Sequence, residues 1–133
     1  MKEIKHIHTA LALHPVTHKC EQVEISDIDD IYKEIGASMF DIATRQIGDD
    51  PKRVYDIYVD DMGLYKIGNY ISAYGDPYCF LVGDIVIARH SEFGELASLT
   101  QDDIDYITSF VNPAWVSGKP LLILRPIAYP SYI

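Results

Sequence analysis

Four histidines and one cysteine lie within fifteen residues near the start of the chain: His6, His8, His14, His18 and Cys20. Imidazole nitrogens and thiolates are the usual protein ligands of zinc and related metals. His6 and His8 are two residues apart, so on a strand they would share one face and could bind one ion together. No carboxylate or second cysteine completes a recognised ligand spacing, so we interpret the group as surface histidines of a hairpin. A metal-dependent hydrolase that uses His6 and His8 is kept as an alternative.

Paired acidic residues are a second candidate for chemistry, because two carboxylates can act as acid and base or hold magnesium. They occur at positions 29–30, 49–50, 60–61 and 102–103. Each pair also has a structural explanation. The pairs at 29–30 and 102–103 favour helix N-termini, and those at 49–50 and 60–61 lie in turn sequences.

Other catalytic signatures are missing from the sequence. Thr9 directly follows His8 and Ser91 directly follows His90, so the His-x-Thr or His-x-Ser pattern of two-histidine phosphodiesterases is absent. Neither a Gly-x-Ser-x-Gly nucleophile nor a glycine-rich phosphate loop is present. The sequence therefore predicts no catalytic residues and no cofactor.

Ligand binding needs no such local pattern, because an arginine and an aromatic ring can be brought together by folding. Arg89 and Arg125 are candidates to bind phosphate, and Tyr78 and Phe80 are candidates to stack on a base. A local basic pocket could draw on four arginines, which are Arg45, Arg53, Arg89 and Arg125.

Tyrosine is the outlier in the composition, with 10 residues in a chain of 133. Tyrosine is enriched in interfaces because it combines a large contact area with a hydroxyl group. We interpret Tyr55, Tyr58 and Tyr65 as half-buried strand residues. Tyr129 and Tyr132 lie in a proline-containing tail and fit a binding surface better.

Length and charge limit the classes of function. A chain of 133 residues with 48% hydrophobic residues matches one globular domain. The net charge of −9 repels nucleic-acid phosphates and anionic membranes, so direct nucleic-acid binding is disfavoured. Cys20 and Cys79 lack a zinc spacing, and no signal peptide or membrane span is evident. We expect a cytoplasmic protein.

The elements that would position these residues are short. Residues 4–13 alternate as a strand and, with Val23 and Ile25, predict a hairpin. Ser26 is predicted to cap a helix that ends at Gly36. Residues 39–47, 54–59 and 64–67 are predicted strands, the last two as a hairpin.

The second half of the chain gives clearer signals. Residues 78–89 are predicted as one strand, and Thr100 with Asp103 has the spacing of a capping box that starts a second helix. Residues 121–124 are predicted as a covered strand. Together these elements predict an α+β domain with a mostly antiparallel sheet, two helices and a C-terminal strand or tail.

Several of these pieces, in this order, resemble a known family. They are the opening strand, the helix segment 28–36, the hairpin 57–64, the strand 83–87 and the segment 94–100 before the last helix. Over roughly residues 4–111 the chain resembles a family of small proteins from tailed phages and related mobile elements, known only as a domain of unknown function. The resemblance implies a phage-encoded accessory protein and carries over no catalytic residues. Residues 68–79 and 112–133 depart from the family pattern.

From these observations we expect a non-catalytic protein that acts by stoichiometric binding, countering a host defence by occluding a host protein. An acidic and aromatic face would suit a basic partner. The first alternative is a homo-oligomer that sequesters a nucleotide-derived immune signal. Residues 1–111 are predicted as the core domain, and residues 112–133 as an extension that joins the same domain or serves oligomerisation.

Overall fold

The computed structural model describes residues 7–15, 17–36, 40–60, 70–73, 80–82, 84–116, 118–124 and 127–128. In these residues the chain forms strands and two helices in the following order: β1 (His8–His14), β2 (Lys19–Ile25), α1 (Ile28–Ile35), β3 (Phe40–Ile47), β4 (Val54–Asp60), β5 (Tyr70–Ala73), β6 (Phe80–Val82), β7 (Ile85–His90), β8 (Leu96–Ala97), α2 (Gln101–Ser109), β9 (Val111–Val116), β10 (Lys119–Leu124) and β11 (Ile127–Ala128).

The strands form two sheets. The larger has seven strands in the order β11-β3-β4-β7-β1-β2, with β8 paired to β7, and all its pairs are antiparallel. The smaller has the order β6-β5-β10-β9, in which only the β5–β10 pair is parallel. The predicted α+β class with a mostly antiparallel sheet is confirmed.

The larger sheet has two covered faces, and β1 shows how the sequence builds both. Leu11 and Leu13 point to one face, which packs against α2 and β10, while Ala10 and Ala12 point to the other, which packs against α1. These are called the α2 face and the α1 face. Full burial of one leucine contributes about 2 kcal/mol, so the leucine side supplies the stronger core.

Both helices begin with a capping box, but the first begins one residue later than predicted. Asp27, not Ser26, is the N-cap of α1, and its side chain accepts hydrogen bonds from the backbone of Asp29 and Asp30. Ser26 instead donates through its backbone nitrogen and its hydroxyl to Asp30. The helix ends, as predicted, at Gly36, which has φ +63°.

The second helix starts at the predicted residue. Thr100 is its N-cap, and Asp103 completes the capping box. The helix ends at Ser109, after which the chain turns at Phe110 and enters β9 at Val111.

The prediction of one strand over residues 78–89 is wrong. The chain runs as β6 in the smaller sheet and then as β7 in the larger sheet. Gly83 and Asp84 interrupt the apolar run in the sequence, and this turn-forming pair was the available signal for two strands. The predicted strand 64–67 lies outside the described residues, and so do Tyr65, Tyr129 and Tyr132.

The described part of the C-terminal extension pairs within the same chain. β9 and β10 belong to the smaller sheet, β11 pairs with β3, and Leu122 and Leu124 are fully buried. Trp115 remains exposed, with its ring in edge contact with the His18 ring. A role of this extension in oligomerisation stays a prediction. In the described residues, neither helix has the length and apolarity needed to cross a membrane.

Candidate functional site

A cleft of about 360 Å³ opens on the α2 face, where the first turn of α2 meets β4 and β7. Small-molecule sites are typically about 300 to 1,000 Å³, so the cleft is large enough for a small ligand. Three of its lining side chains are cationic. The lining residues are Asp50, Lys52, Arg53, Val54, Tyr55, Arg89 and Asp103.

Asp103 is the buried centre of the cleft wall, with a side chain only 8% exposed. One carboxylate oxygen accepts hydrogen bonds from Arg53 Nη1 at 2.9 Å and from the Tyr55 hydroxyl at 2.8 Å. The other accepts from the backbone nitrogen and hydroxyl of Thr100, both at 2.9 Å. Burial would raise the pKa of Asp103, but the hydrogen bonds from Thr100 and Tyr55 outweigh it and hold the pKa below its usual value.

Arg53 is held in a fixed orientation by three residues of α2. Its guanidinium donates to Asp102 and Asp103 in the first turn of α2, and it lies 4.8 Å from the centre of the Tyr106 ring. The hydrogen bond to Asp102 is the main cause of a raised Arg53 pKa. Because the Arg53 side chain is already ordered, it loses little further conformational entropy when it contacts a ligand.

Arg89 is held more loosely. Its nearest ion-pair atom is Asp103 Oδ2 at 3.8 Å, beyond hydrogen-bonding distance, and the side chain is 45% exposed. Lys52 is also exposed, and no ion pair of its ammonium group is found in the described part of the chain. Within the part of the chain that the structure describes, the cleft therefore combines one fixed guanidinium with two cations that are held by no close ion pair.

The sequence-predicted ligand residues are only partly placed by the structure. Arg89 lies in the cleft, and so does Arg53 from the predicted basic pocket. Arg45 is on β3, where its Nη1 donates to the carbonyl of Thr44, and it is absent from the cleft lining. Arg125 and Tyr78 lie outside the described residues, and for Phe80 only the backbone in β6 is described.

Sequence reasoning missed Lys52, Tyr55 and Asp103 as cleft residues. Asp103 was predicted only as a capping residue, and the contact with Arg53 joins positions 50 residues apart. The capping box was the one available signal, because it places a carboxylate at the positive end of a helix, where cationic side chains can also reach it.

A second polar group lies on the α1 face. Asp56 in β4 is buried, accepting a hydrogen bond from the Thr44 hydroxyl at 2.9 Å and pairing with His90 Nδ1 at 2.6 Å. A carboxylate that orients a half-exposed imidazole can support that imidazole as a general base. In the described residues the pair also gives the buried Asp56 carboxylate a hydrogen-bond partner, and this structural role is sufficient to explain it.

The histidines of the β1–β2 hairpin are separated by the fold. His6 lies outside the described residues, so pairing of His6 with His8 stays untested. His14 lies between two carboxylates, with Nε2 3.2 Å from Glu21 and Nδ1 3.2 Å from Asp84. Spacing in the sequence showed no carboxylate that completes a ligand set with the histidines, but the folded chain brings carboxylates to His14. In the structure one ligand atom each of His14, Glu21 and Glu34 lie within 4.8 Å of one another.

Cys20 is a free thiol that packs against the α2-face core. Burial raises the pKa of this thiol to about 11, so it is protonated at neutral pH and is a poor nucleophile. Cys79 lies outside the described residues.

Comparison of the chain with protein-family models, curated proteins and solved structures found no match. The resemblance to the phage and mobile-element family therefore stays a prediction from the sequence.

Proposed function

We propose that this protein is a non-catalytic binding protein that holds a phosphate-bearing small molecule, of the nucleotide-derived kind, in the cleft between α2, β4 and β7. The observation that carries the proposal is the convergence of Lys52, Arg53 and Arg89 on one cleft in a chain of net charge −9. The three cations outnumber the two carboxylates of the lining, Asp50 and Asp103, by one. An excess of cationic side chains in an acidic protein suits an anionic ligand.

The two arginines suit different parts of this task. Arg53 is fixed by Asp102, Asp103 and Tyr106, so it offers a charge in a set position. Arg89 has no competing hydrogen bond in the described residues, so its planar guanidinium can bind two oxygens of a phosphate. Together the two arginines would recognise both the charge of a phosphate group and the arrangement of its oxygens.

The carboxylates and the tyrosine of the cleft favour binding over turnover. Asp103 accepts four hydrogen bonds and has a lowered pKa, which makes it a weak base. Burial raises the pKa of the Tyr55 hydroxyl, and this group already donates to Asp103. Neither group is prepared to take a proton from a substrate.

Titration calorimetry of the full chain against cyclic dinucleotides, ADP-ribose and pyrophosphate tests this function. We expect saturable binding of at least one nucleotide, and Arg89→Ala to weaken it by at least about tenfold, since charged hydrogen bonds contribute about 1.5 to 3 kcal/mol. Arg89→Lys should recover only part of the affinity, because lysine keeps the charge but loses the planar pair of N–H donors of the guanidinium.

The matched control is Lys33→Ala, which removes an exposed cation from α1 on the opposite face. It should bind as the wild type does. Absence of heat across the panel, or equal affinity of the wild type and Arg89→Ala, would contradict the proposal. Light scattering with and without ligand measures the expected homo-oligomerisation.

Occlusion of a host protein is the second candidate, and one feature of the β7–β8 turn favours it. Phe93 at this turn is 89% exposed and lies between Glu92 and Glu95. The turn is ordered, since Ser91 Oγ accepts from the backbone nitrogens of Phe93 and Glu95 and Ser91 N donates to the Glu95 carbonyl at 2.7 Å. An ordered aromatic tip between two carboxylates is complementary to an apolar pocket with a basic rim.

Affinity capture from bacterial lysate with the wild type and with Phe93→Ser tests this second function. A basic protein retained by the wild type and lost by Phe93→Ser is expected. Retention of the same proteins by both baits would contradict a role of this turn. Arg89→Ala should retain the partner if protein occlusion and ligand binding use separate surfaces.

A further inference from the structure

A group of side chains on the α1 face is built from four elements that meet at one end of the sheet. His14 ends β1, Glu21 lies in β2, Glu34 lies in the last turn of α1 and Asp84 precedes β7. Their distances make them neighbours in space: His14 Nε2 is 3.2 Å from Glu21 Oε1, and one ligand atom each of His14, Glu21 and Glu34 lie within 4.8 Å of one another.

We propose that His14 Nε2, Glu21 and Glu34 bind one divalent first-row transition metal ion, such as Zn²⁺ or Mn²⁺, and that Asp84 orients the imidazole. Ligand atoms at about 2.1 Å from a tetrahedral ion are about 3.4 Å apart, close to the His14–Glu21 separation. Three protein ligands leave at least one coordination position open for water or an exogenous group.

The second ring nitrogen of His14 supports a metal ligand role. Nδ1 is 3.2 Å from Asp84 Oδ2, and a proton on Nδ1 leaves the Nε2 lone pair on the side of Glu21. Metal-binding histidines regularly donate their other N–H to a carboxylate in this way, which fixes the tautomer and raises the basicity of the ligand. His14 is also only 18% exposed, so its ring is held by packing.

The position of Glu34 is an independent reason to expect a cation. It is the residue before the last one of α1, close to the C-cap Gly36, where the helix dipole is negative and a carboxylate is unfavourable. Lys33 is the one basic residue in that turn of the helix. A metal ion bound to Glu34 would place positive charge at this end of the helix, where the helix dipole favours it.

The charges of the group also balance with a divalent ion. Glu21, Glu34 and Asp84 bring three negative charges, and Lys19 brings one positive charge at 3.4 Å from Glu21. A protonated His14 would still leave the group negative. A neutral His14 with a divalent cation makes the sum zero, and a neutral imidazole is the form that binds metal.

Calorimetric titration of the full, chelator-treated chain with Zn²⁺ and with Mn²⁺ tests the site. We expect binding of one ion per chain, and Glu34→Gln to lower the affinity by more than about tenfold, since loss of even an outer-shell partner costs about 10- to 100-fold. Asp84→Asn should fall in that outer-shell range. Co²⁺ in place of zinc should give a visible absorption band that Glu34→Gln abolishes.

Two variants serve as matched controls. Glu24→Gln changes an exposed carboxylate of the same strand that lies on the other face, and His8→Ala changes the other described histidine of β1. Both should bind metal as the wild type does, and circular dichroism should show all variants folded. Failure to bind one ion, or loss of affinity in the controls but not in Glu34→Gln, would overturn the site. Arg89→Ala should keep metal binding, which separates this site from the anion cleft.

Discussion

The two faces of the larger sheet each bury one aspartate, but they give it different partners. On the α2 face Asp103 comes from a helix and meets Arg53, with Arg89 close by. On the α1 face Asp56 comes from a strand and meets the Thr44 hydroxyl and a histidine. Arg89 and the histidine are neighbours in β7, and the alternation of the strand sends them to opposite faces.

This difference separates two kinds of chemistry. Arginine stays charged at any physiological pH, so the α2 face holds two permanent guanidinium charges beside the carboxylates of Asp102 and Asp103. Histidine is a common metal ligand, and on the α1 face both His90 and His14 lie beside carboxylates. The proposed anion cleft and the proposed metal site therefore lie on opposite faces of one sheet.

The largest expected effect is that of Asp103→Ala. The change removes the capping box of α2 and leaves Arg53 and the Tyr55 hydroxyl without their shared acceptor. We expect a loss of about 3 to 4 kcal/mol in the free energy of unfolding, measured with urea. Asp102→Ala, which changes the adjacent exposed carboxylate, should cost less than about 1 kcal/mol. Equal losses would mean that burial does not distinguish the two carboxylates.

Gly48→Ala should have the next largest effect, because it disturbs the contact of α2 with the sheet. Gly48 has φ +75°, and an added Cβ would clash with the Tyr106 hydroxyl and lie 2.7 Å from the Phe110 ring. Left-handed strain and overpacking together predict a loss of about 2 to 4 kcal/mol. Gly94→Ala has similar strain with open space around it, so its loss should be about 1 kcal/mol. Similar unfolding midpoints for both variants would contradict the packing argument.

Asp56→Ala tests the α1 face in the same way. The variant loses the hydrogen bond from Thr44 and the contact with His90, for an expected loss of about 2 kcal/mol. The loss should be smaller than for Asp103→Ala, because Asp56 starts no helix and binds no guanidinium. His90→Ala should cost less than Asp56→Ala, since the imidazole is half-exposed. A loss for Asp56→Ala above that for Asp103→Ala would reverse the ranking of the two faces.

Local patterns predicted the elements of the fold but not the contacts between them. The alternation in β1 and the Thr100–Asp103 capping box depend on neighbouring residues, so the two faces of β1 and the residues of the capping box were predicted correctly. The bounds of β1 were not, because the strand was predicted over residues 4–13 and the described strand is His8–His14. The α1 cap was wrong by one residue, because Ser26 and Asp27 are both good caps and only the folded chain shows which oxygen meets the backbone. The break between β6 and β7 depends on which sheet each half joins.

The candidate sites were harder to predict for the same reason. Arg89 was singled out by residue type alone, while its cleft partner Asp103 looked like a capping residue. His14 was predicted as a surface histidine, because the glutamate in α1 that approaches it is 20 positions away in the chain. Sequence spacing detects ligand sets held within one element, and both sites combine several elements.

Acid titration of stability gives the finest comparison, between the third helical residues Asp30 of α1 and Asp103 of α2. Hydrogen bonds from Ser26 lower the pKa of Asp30, and Asp103 is lowered against the opposing effect of burial. A lowered pKa means that the folded chain binds protons less readily than the unfolded chain. The stabilisation is therefore complete above the unfolded pKa of about 3.9 and is lost as the pH falls through the lower folded value.

Urea denaturation between about pH 6 and pH 2 should show a falling free energy of unfolding in acid, and both Asp30→Asn and Asp103→Asn should make that fall less steep. The Asp103 variant should flatten it more, because protonation there also weakens the pairing with Arg53, while Asp30 serves only its own cap. Equal flattening would mean that the buried arginine pair adds nothing to the capping interaction. The distinction between the two faces would then lie in their ligands alone.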